Sequence, residues 1–165
     1  MNWRWPLWCG PAELPEDPGT FGAVRRHDVH TGIDLYTYPG MPVLAVEDGV
    51  VVAIEKFTGA EAGSPWWNDT EAVLVEGASG VVCYGEIVTP KEMKVGDQLR
   101  REGYVGGVRT VLKKDKGRPM TMLHFELYRH ATRETVWWRR GEPKPPNLLD
   151  PTEHLMVALE HVRRP

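Results

Sequence analysis

Residues 27–34, HDVHTGID, place two histidines and two aspartates around one glycine. His30 and Asp34 stand four apart with Gly32 between them, and a glycine permits a tight bend that can turn both side chains toward one point. Imidazole nitrogen and carboxylate oxygen are both zinc donors, and three protein ligands with a water in the fourth position is the catalytic pattern. A third ligand must then come from elsewhere in the chain. His124 is the best candidate. In MTMLHFELYRH, strand alternation sets Met120, Met122, His124, Glu126 and Tyr128 on one face and Thr121, Leu123, Phe125 and Leu127 on the other. Spacing alone is a weak signal for half of a metal site and favours the plainer reading, a polar turn with a hydrogen-bonded histidine.

The elements that must position these residues read as short strands. MPVLAVEDGVVVAIEKF contains two apolar runs split by the turn signal EDG. EAVLVEG and GVVCYGEIV alternate around EGASG and predict a hairpin. KVGDQLRREGYVGGVRTVL is punctuated by glycine and cannot form a long helix. TVWWRR reads as one further strand, and GEPKPPNLL as a Pro-rich loop. In each Trp pair, 66–67 and 137–138, alternation buries one ring and exposes the other. The one helix is predicted at the end, capped by Asp150, with Pro151 at its first position, Glu153 completing a capping box, and an apolar stripe of Leu155, Leu159 and Val162. The class is mainly β: a compact antiparallel sandwich or barrel with a short C-terminal helix. Residues 1–20 read as an irregular arm rich in Trp, Pro and acids, and 21–165 as the domain proper.

The 165 residues suffice for one sizeable core. A net charge of −3 argues against a nucleic-acid partner. No stretch approaches the roughly 20 apolar residues of a membrane span. The N-terminus lacks the apolar segment of a signal peptide, so the expectation is a cytoplasmic chain as written, extracytoplasmic if a leader was removed. Cys9 and Cys83, far apart and outside any CxxC pattern, are expected to be free thiols. Oligomeric state is not legible.

Larger blocks of the chain add a resemblance. FGAVRRHDVHTGIDLYTYPGMPVLAVEDGVVVAIE, residues 21–55, resembles the first motif block of the lysostaphin-type, LytM-like zinc peptidases. His30, Gly32 and Asp34, the turn GMPV and the run AVEDGVV each match a part of it. KVGDQLRREGYVGGV, MLHFELY and LLDPTEHL resemble the family's later segments, so the likeness runs from about residue 21 to 156. It implies a β-sheet with a groove, a zinc ion on its floor held by His30, Asp34 and His124, and a peptide, peptidoglycan-like or protein ligand in the groove.

The chain departs from the family pattern at two positions. The closing motif of active members carries a further histidine two residues before the ligand histidine, and here that residue is Met122. A second auxiliary histidine follows an aromatic–glycine pair, and here CYGEI puts Glu86 after Tyr84 and Gly85. A thioether cannot exchange a proton at neutral pH, and positioned acid–base groups typically contribute about 10²–10⁴-fold. The resemblance therefore implies a zinc site with impaired hydrolysis. The alternative is an active endopeptidase on Gly- or Ala-containing peptides, with Glu86 as base. His27, Met122 and Tyr84 are expected to line the groove.

Overall fold

In the computed structural model, which describes residues 2–164, the chain runs β1 (Ile33–Tyr36), β2 (Pro42–Leu44), β3 (Gly49–Thr58), β4 (Thr70–Gly77), β5 (Gly80–Val88), β6 (Gln98–Leu99), β7 (Tyr104–Val108), β8 (Met122–Tyr128), β9 (Leu148–Leu149) and α1 (Thr152–Arg163). Every pairing is antiparallel, and the nine strands make one sheet. Its main order is β1-β8-β5-β4-β3-β6, with β7 joining β5 and β2, and β9 joining β8. The sheet stays open, because β1 and β6 end the path without meeting; the barrel alternative is corrected.

The predicted hairpin is β4–β5, closed by a two-residue turn between Gly77 and Gly80. The two apolar runs around EDG form β2 and β3, but they do not pair with each other: β2 pairs with β7, and β3 with β4 and β6. TVWWRR is not a strand. Side chains take the first amides: Thr135 N donates to Glu55 Oε1 (3.0 Å) and Val136 N to the Tyr128 hydroxyl (3.1 Å), and backbone pairing is confined to one isolated bridge, Asp28 with Arg139. Trp66 and Trp137 are exposed and Trp67 and Trp138 half-buried, so the alternation holds in direction although neither pair lies on a strand.

Alternation along the central strands gives the sheet two apolar faces. Leu123, Phe125 and Leu127 of β8 join Val82 and Tyr84 of β5 and Val73 and Val75 of β4 in the larger core. That face is covered by the helix, through Leu155, Ala158 and Leu159, and by Trp3, Trp5 and Leu7 of the N-terminal segment. The segment lacks regular strands, yet it is pinned by Arg4 N to Val46 O, Leu44 N to Pro6 O and Trp8 N to Pro42 O. The opposite face carries Met122, His124, Glu126 and Tyr128, beside a smaller cluster of Ala72, Leu74, Cys83 and Leu148.

The helix begins one residue later than predicted. Pro151 is its N-cap and makes no side-chain cap bond, while Asp150 Oδ1 accepts from Thr152 N at 2.9 Å. Val162 is exposed and Ala158 takes its place in the buried stripe. Both cysteines are free thiols. Among the described residues no helix is long and apolar enough to cross a membrane.

Candidate metal centre

Register brings two of the three predicted ligands together. Asp34 on β1 lies directly opposite His124 on β8. His30 belongs to the loop before β1, held by His30 N donating to Ala23 O and by Gly22 N donating to His30 O, both at 2.9 Å. Gly32 is required here for space. A Cβ at that position would sit 2.3 Å from Phe125 O, so any side chain would push the loop off β8. Its backbone is not in the left-handed region, so the close approach, and not a special bend, explains the residue.

Three donor atoms converge. Asp34 Oδ1 is 3.0 Å from His124 Nδ1 and 3.2 Å from His30 Nε2, and the two nitrogens are 3.2 Å apart. Tetrahedral zinc with ligand bonds of about 2.0–2.2 Å sets its donors roughly 3.3 Å apart, so the triangle has the size zinc needs. All three side chains are buried.

The far side of each ring fixes which nitrogen faces the centre. His30 Nδ1 lies 2.9 Å from the Thr20 carbonyl oxygen, and His124 Nε2 lies 2.8 Å from Glu126 Oε1. Both partners are acceptors, so those nitrogens carry the protons and the inward nitrogens present lone pairs. Three lone pairs facing one point within a buried site suit a positive charge between them, a proton or a metal ion. Carboxylate–histidine pairs of this kind orient metal-binding rings and strengthen them as donors.

The electrostatics agree. Burial alone would raise the Asp34 carboxyl, but hydrogen bonds and charge from His124 and His30 hold it well below the usual carboxylate range. Burial would lower His124, but bonds to Asp34 and Glu126 outweigh it and raise its proton affinity well above the usual value. A proton there is what a tight anionic cluster takes up when no metal ion is bound. Glu126 is likewise held low, burial being outweighed by His124, Thr31 Oγ1 at 2.6 Å and the Tyr128 hydroxyl at 2.5 Å. Arg25 Nη2 lies 3.4 Å from Asp34 Oδ2, on the oxygen turned away from the triangle.

Glu86 stands at the edge of this cluster. Ala72 faces Gly85 and Glu71 faces Ile87, which leaves Glu86 as the extra residue of a β-bulge, at φ 63°. Bulges re-aim side chains beside functional sites. Its Oε2 is buried without a hydrogen-bond partner. Burial, reinforced by the Asp34 charge and opposed by His124 and Arg25, pushes the carboxyl up to about 8. Met122 is buried and paired across the strand with Tyr36.

The other groove predictions divide. Tyr84 is corrected: it sits in the core on the face opposite His124, pairs with Phe125, and its hydroxyl accepts from Val46 N at 2.9 Å. His27 is exposed, and its carbonyl accepts from Arg140 N. Sequence reasoning missed Glu126 as the partner of His124, although its i+2 spacing on a strand placed both on one face. It also missed Thr20 and Arg25, which no local pattern marks.

No protein-family model and no curated protein matches the chain. Solved structures do. A mutant of the catalytic domain of the prophage-encoded M23 protein EnpA from Enterococcus faecalis has a TM-score of 0.57 and 22% identity, covering 89% of this chain and 94% of its own. A zinc-containing peptidase from Vibrio cholerae has a TM-score of 0.55 and 20% identity over 88% of this chain. Lysostaphin has a TM-score of 0.51 and 19% identity over 79% of it. The chain spans 41% of the Vibrio protein's length and 44% of lysostaphin's. With its open antiparallel sheet and single C-terminal helix, this chain has the fold of the M23, lysostaphin-type peptidases.

Proposed function

We propose that this protein is a zinc-binding domain of the lysostaphin type with impaired hydrolysis, which holds a peptide, glycan or protein ligand in the groove over the metal. One observation carries the reading. The three donors His30 Nε2, Asp34 Oδ1 and His124 Nδ1 form a zinc-sized triangle, while the two positions where the family resemblance places auxiliary histidines hold Met122 and Glu86.

His30, Asp34 and His124 would hold the ion. Zinc bound there supplies a Lewis acid and lowers the pKa of water. Around it, Glu126 fixes His124 and Thr20 fixes His30, so the rings are oriented in advance. Arg25 keeps Asp34 Oδ1 turned inward by holding Oδ2. Proton transfer is where the machinery falls short. Met122 can neither take nor give a proton at neutral pH. In the metal-free chain burial raises the Glu86 carboxyl to about 8, which favours its protonated form at neutral pH, and a protonated carboxyl is not a base.

One observation favours a second reading, an active endopeptidase on Gly- or Ala-containing peptides such as peptidoglycan cross-links. The bulge leaves Glu86 Oε2 without any protein partner, and a nearby dication would draw its proton off. The test is hydrolysis of a labelled tetraglycine-type peptide by the zinc-loaded protein. Met122→His with Glu86→His is predicted to raise turnover by at least tenfold, within the range of positioned acid–base groups. No gain with zinc still bound contradicts the missing-histidine account. Parental activity that Glu86→Gln removes would support the second reading.

A further inference from the structure

An open cleft of about 400 Å³ is lined by Pro39, Asn68, Val88, Gly107, Arg109 and Thr110. Arg109 N donates to Glu86 O at 3.1 Å, so the cleft and the metal site share the bulge of β5. After Arg109 the chain makes a loop that returns at Thr121, where Thr110 and Thr121 are bridged and their hydroxyls lie 2.9 Å apart. Thr121 O also accepts from Thr37 N, just beyond β1. The loop therefore starts and ends at the groove.

Its composition is unlike the rest of the chain. Residues 109–118, RTVLKKDKGR, hold five cations and one acid, a net charge of +4. The whole chain is −3, so the other 155 residues carry −7. Lys113–Arg118 are all exposed. Among the described residues, none of Arg109, Lys113, Lys114, Lys116 and Arg118 is in an ion pair, so the density of the cluster, and not the lack of partners alone, sets it apart from other unpaired cations such as Arg26 and Lys91. The one acid, Asp115, accepts from Gly117 N within the loop. Lys113 Nζ reaches Pro65 O, tying the loop to the Trp66 loop across the cleft.

We propose that residues 109–118 form a basic strap that recruits an acidic, carboxylate-bearing peptide segment into the metal groove, with Arg109 receiving a carboxylate inside the cleft. This rests on the groove being a ligand site, as proposed above. A local cluster of unpaired cations steers an anionic ligand and attracts it most strongly at low salt. A guanidinium in a cleft suits a carboxylate, which it can hold through two parallel bonds. The occupant is a short peptide, because an extended polyanion would run from the strap onto the rest of the chain, whose net charge is −7. Its charges must lie close together, near the strap.

The experiment measures binding of two fluorescein-labelled, C-terminally amidated hexapeptides, one alternating Gly and Glu and one of Gly alone, to the zinc-loaded protein at low and high salt. Inorganic polyphosphate serves as competitor. The proposal predicts that the acidic peptide binds at least tenfold more tightly than hexaglycine at low salt, and that the difference shrinks as salt rises. The quadruple variant Lys113→Gln, Lys114→Gln, Lys116→Gln, Arg118→Gln, and separately Arg109→Gln, should each weaken the acidic peptide about tenfold and weaken C-terminally amidated hexaglycine far less. Equal affinity for the acidic peptide across parent and variants overturns the proposal. So does polyphosphate that binds more tightly than the peptide, which would mark a surface for phosphate polymers. Zinc content is read in every sample. Zinc absent from the parent defeats the functional reading above, while the peptide comparison tests the strap separately.

Discussion

Glu86 is the residue on which the chemistry turns. A carboxyl raised to about 8 binds its proton more tightly in the folded than in the unfolded chain, where its value is near 4.5. Its contribution to stability is then complete below pH about 4.5 and is lost as the pH rises toward 8. In the metal-free protein, the urea midpoint of the parent should fall across this window relative to Glu86→Gln, by an amount on the order of 2–4 kcal/mol. Parallel profiles for the two proteins would mean that the carboxyl is solvated and ionised. The three candidate ligands were legible because their motif is local, HTGID on one side and a strand with alternating faces on the other. Tyr84 was misplaced for the opposite reason. It stands one residue before Gly85, which faces His124, so alternation turns it into the core, and the bulge that follows redirects Glu86 alone.

At the scale of elements, the site depends on β1 lying against β8 in one register, with Asp34 opposite His124. A shift of one residue would turn Asp34 to the other face. Gly32 guards that register through its contact with Phe125 O. Gly32→Ala should destabilise the fold by about 2–3 kcal/mol, the range of core overpacking, and should weaken zinc binding more than it weakens the far helix. Hydrogen exchange would show this as faster exchange in β1 and β8 than in β3 and β4; uniform exchange would contradict it. The hairpin β4–β5 was legible from alternation around a two-residue turn. The residues of TVWWRR also alternate, but Glu55 and Tyr128 take the amides of Thr135 and Val136, and only an isolated bridge from Arg139 to Asp28 forms beyond them. That substitution depends on distant residues and leaves no mark in the local pattern.

For the molecule as a whole, the two faces of the sheet have separate tasks. One bears the candidate metal centre, and the other is sealed by the N-terminal segment and α1. Trp3 joins them: its ring packs edge-on to Phe125 at 5.4 Å, stacks on His154 at 4.3 Å, and its Nε1 donates to Ser79 Oγ. Composition marked residues 1–20 as irregular, and residues 2–20 hold no named strand or helix. It did not show that Trp3, Trp5 and Leu7 belong to the main core, because their partners lie far along the sequence. Trp3→Ala should cost about 3–5 kcal/mol, read as a lower urea midpoint. A loss under about 1 kcal/mol would mean that the segment only rests on the surface.

The most direct test of the central claim is the metal content of the purified, zinc-equilibrated protein beside His124→Ala. The account predicts about one zinc per chain in the parent, set by the single His30–Asp34–His124 triangle among the described residues, and little or none in the variant with its fold retained. A parent that takes up no zinc, or a variant that keeps it, would contradict the assignment of these three residues as a metal site.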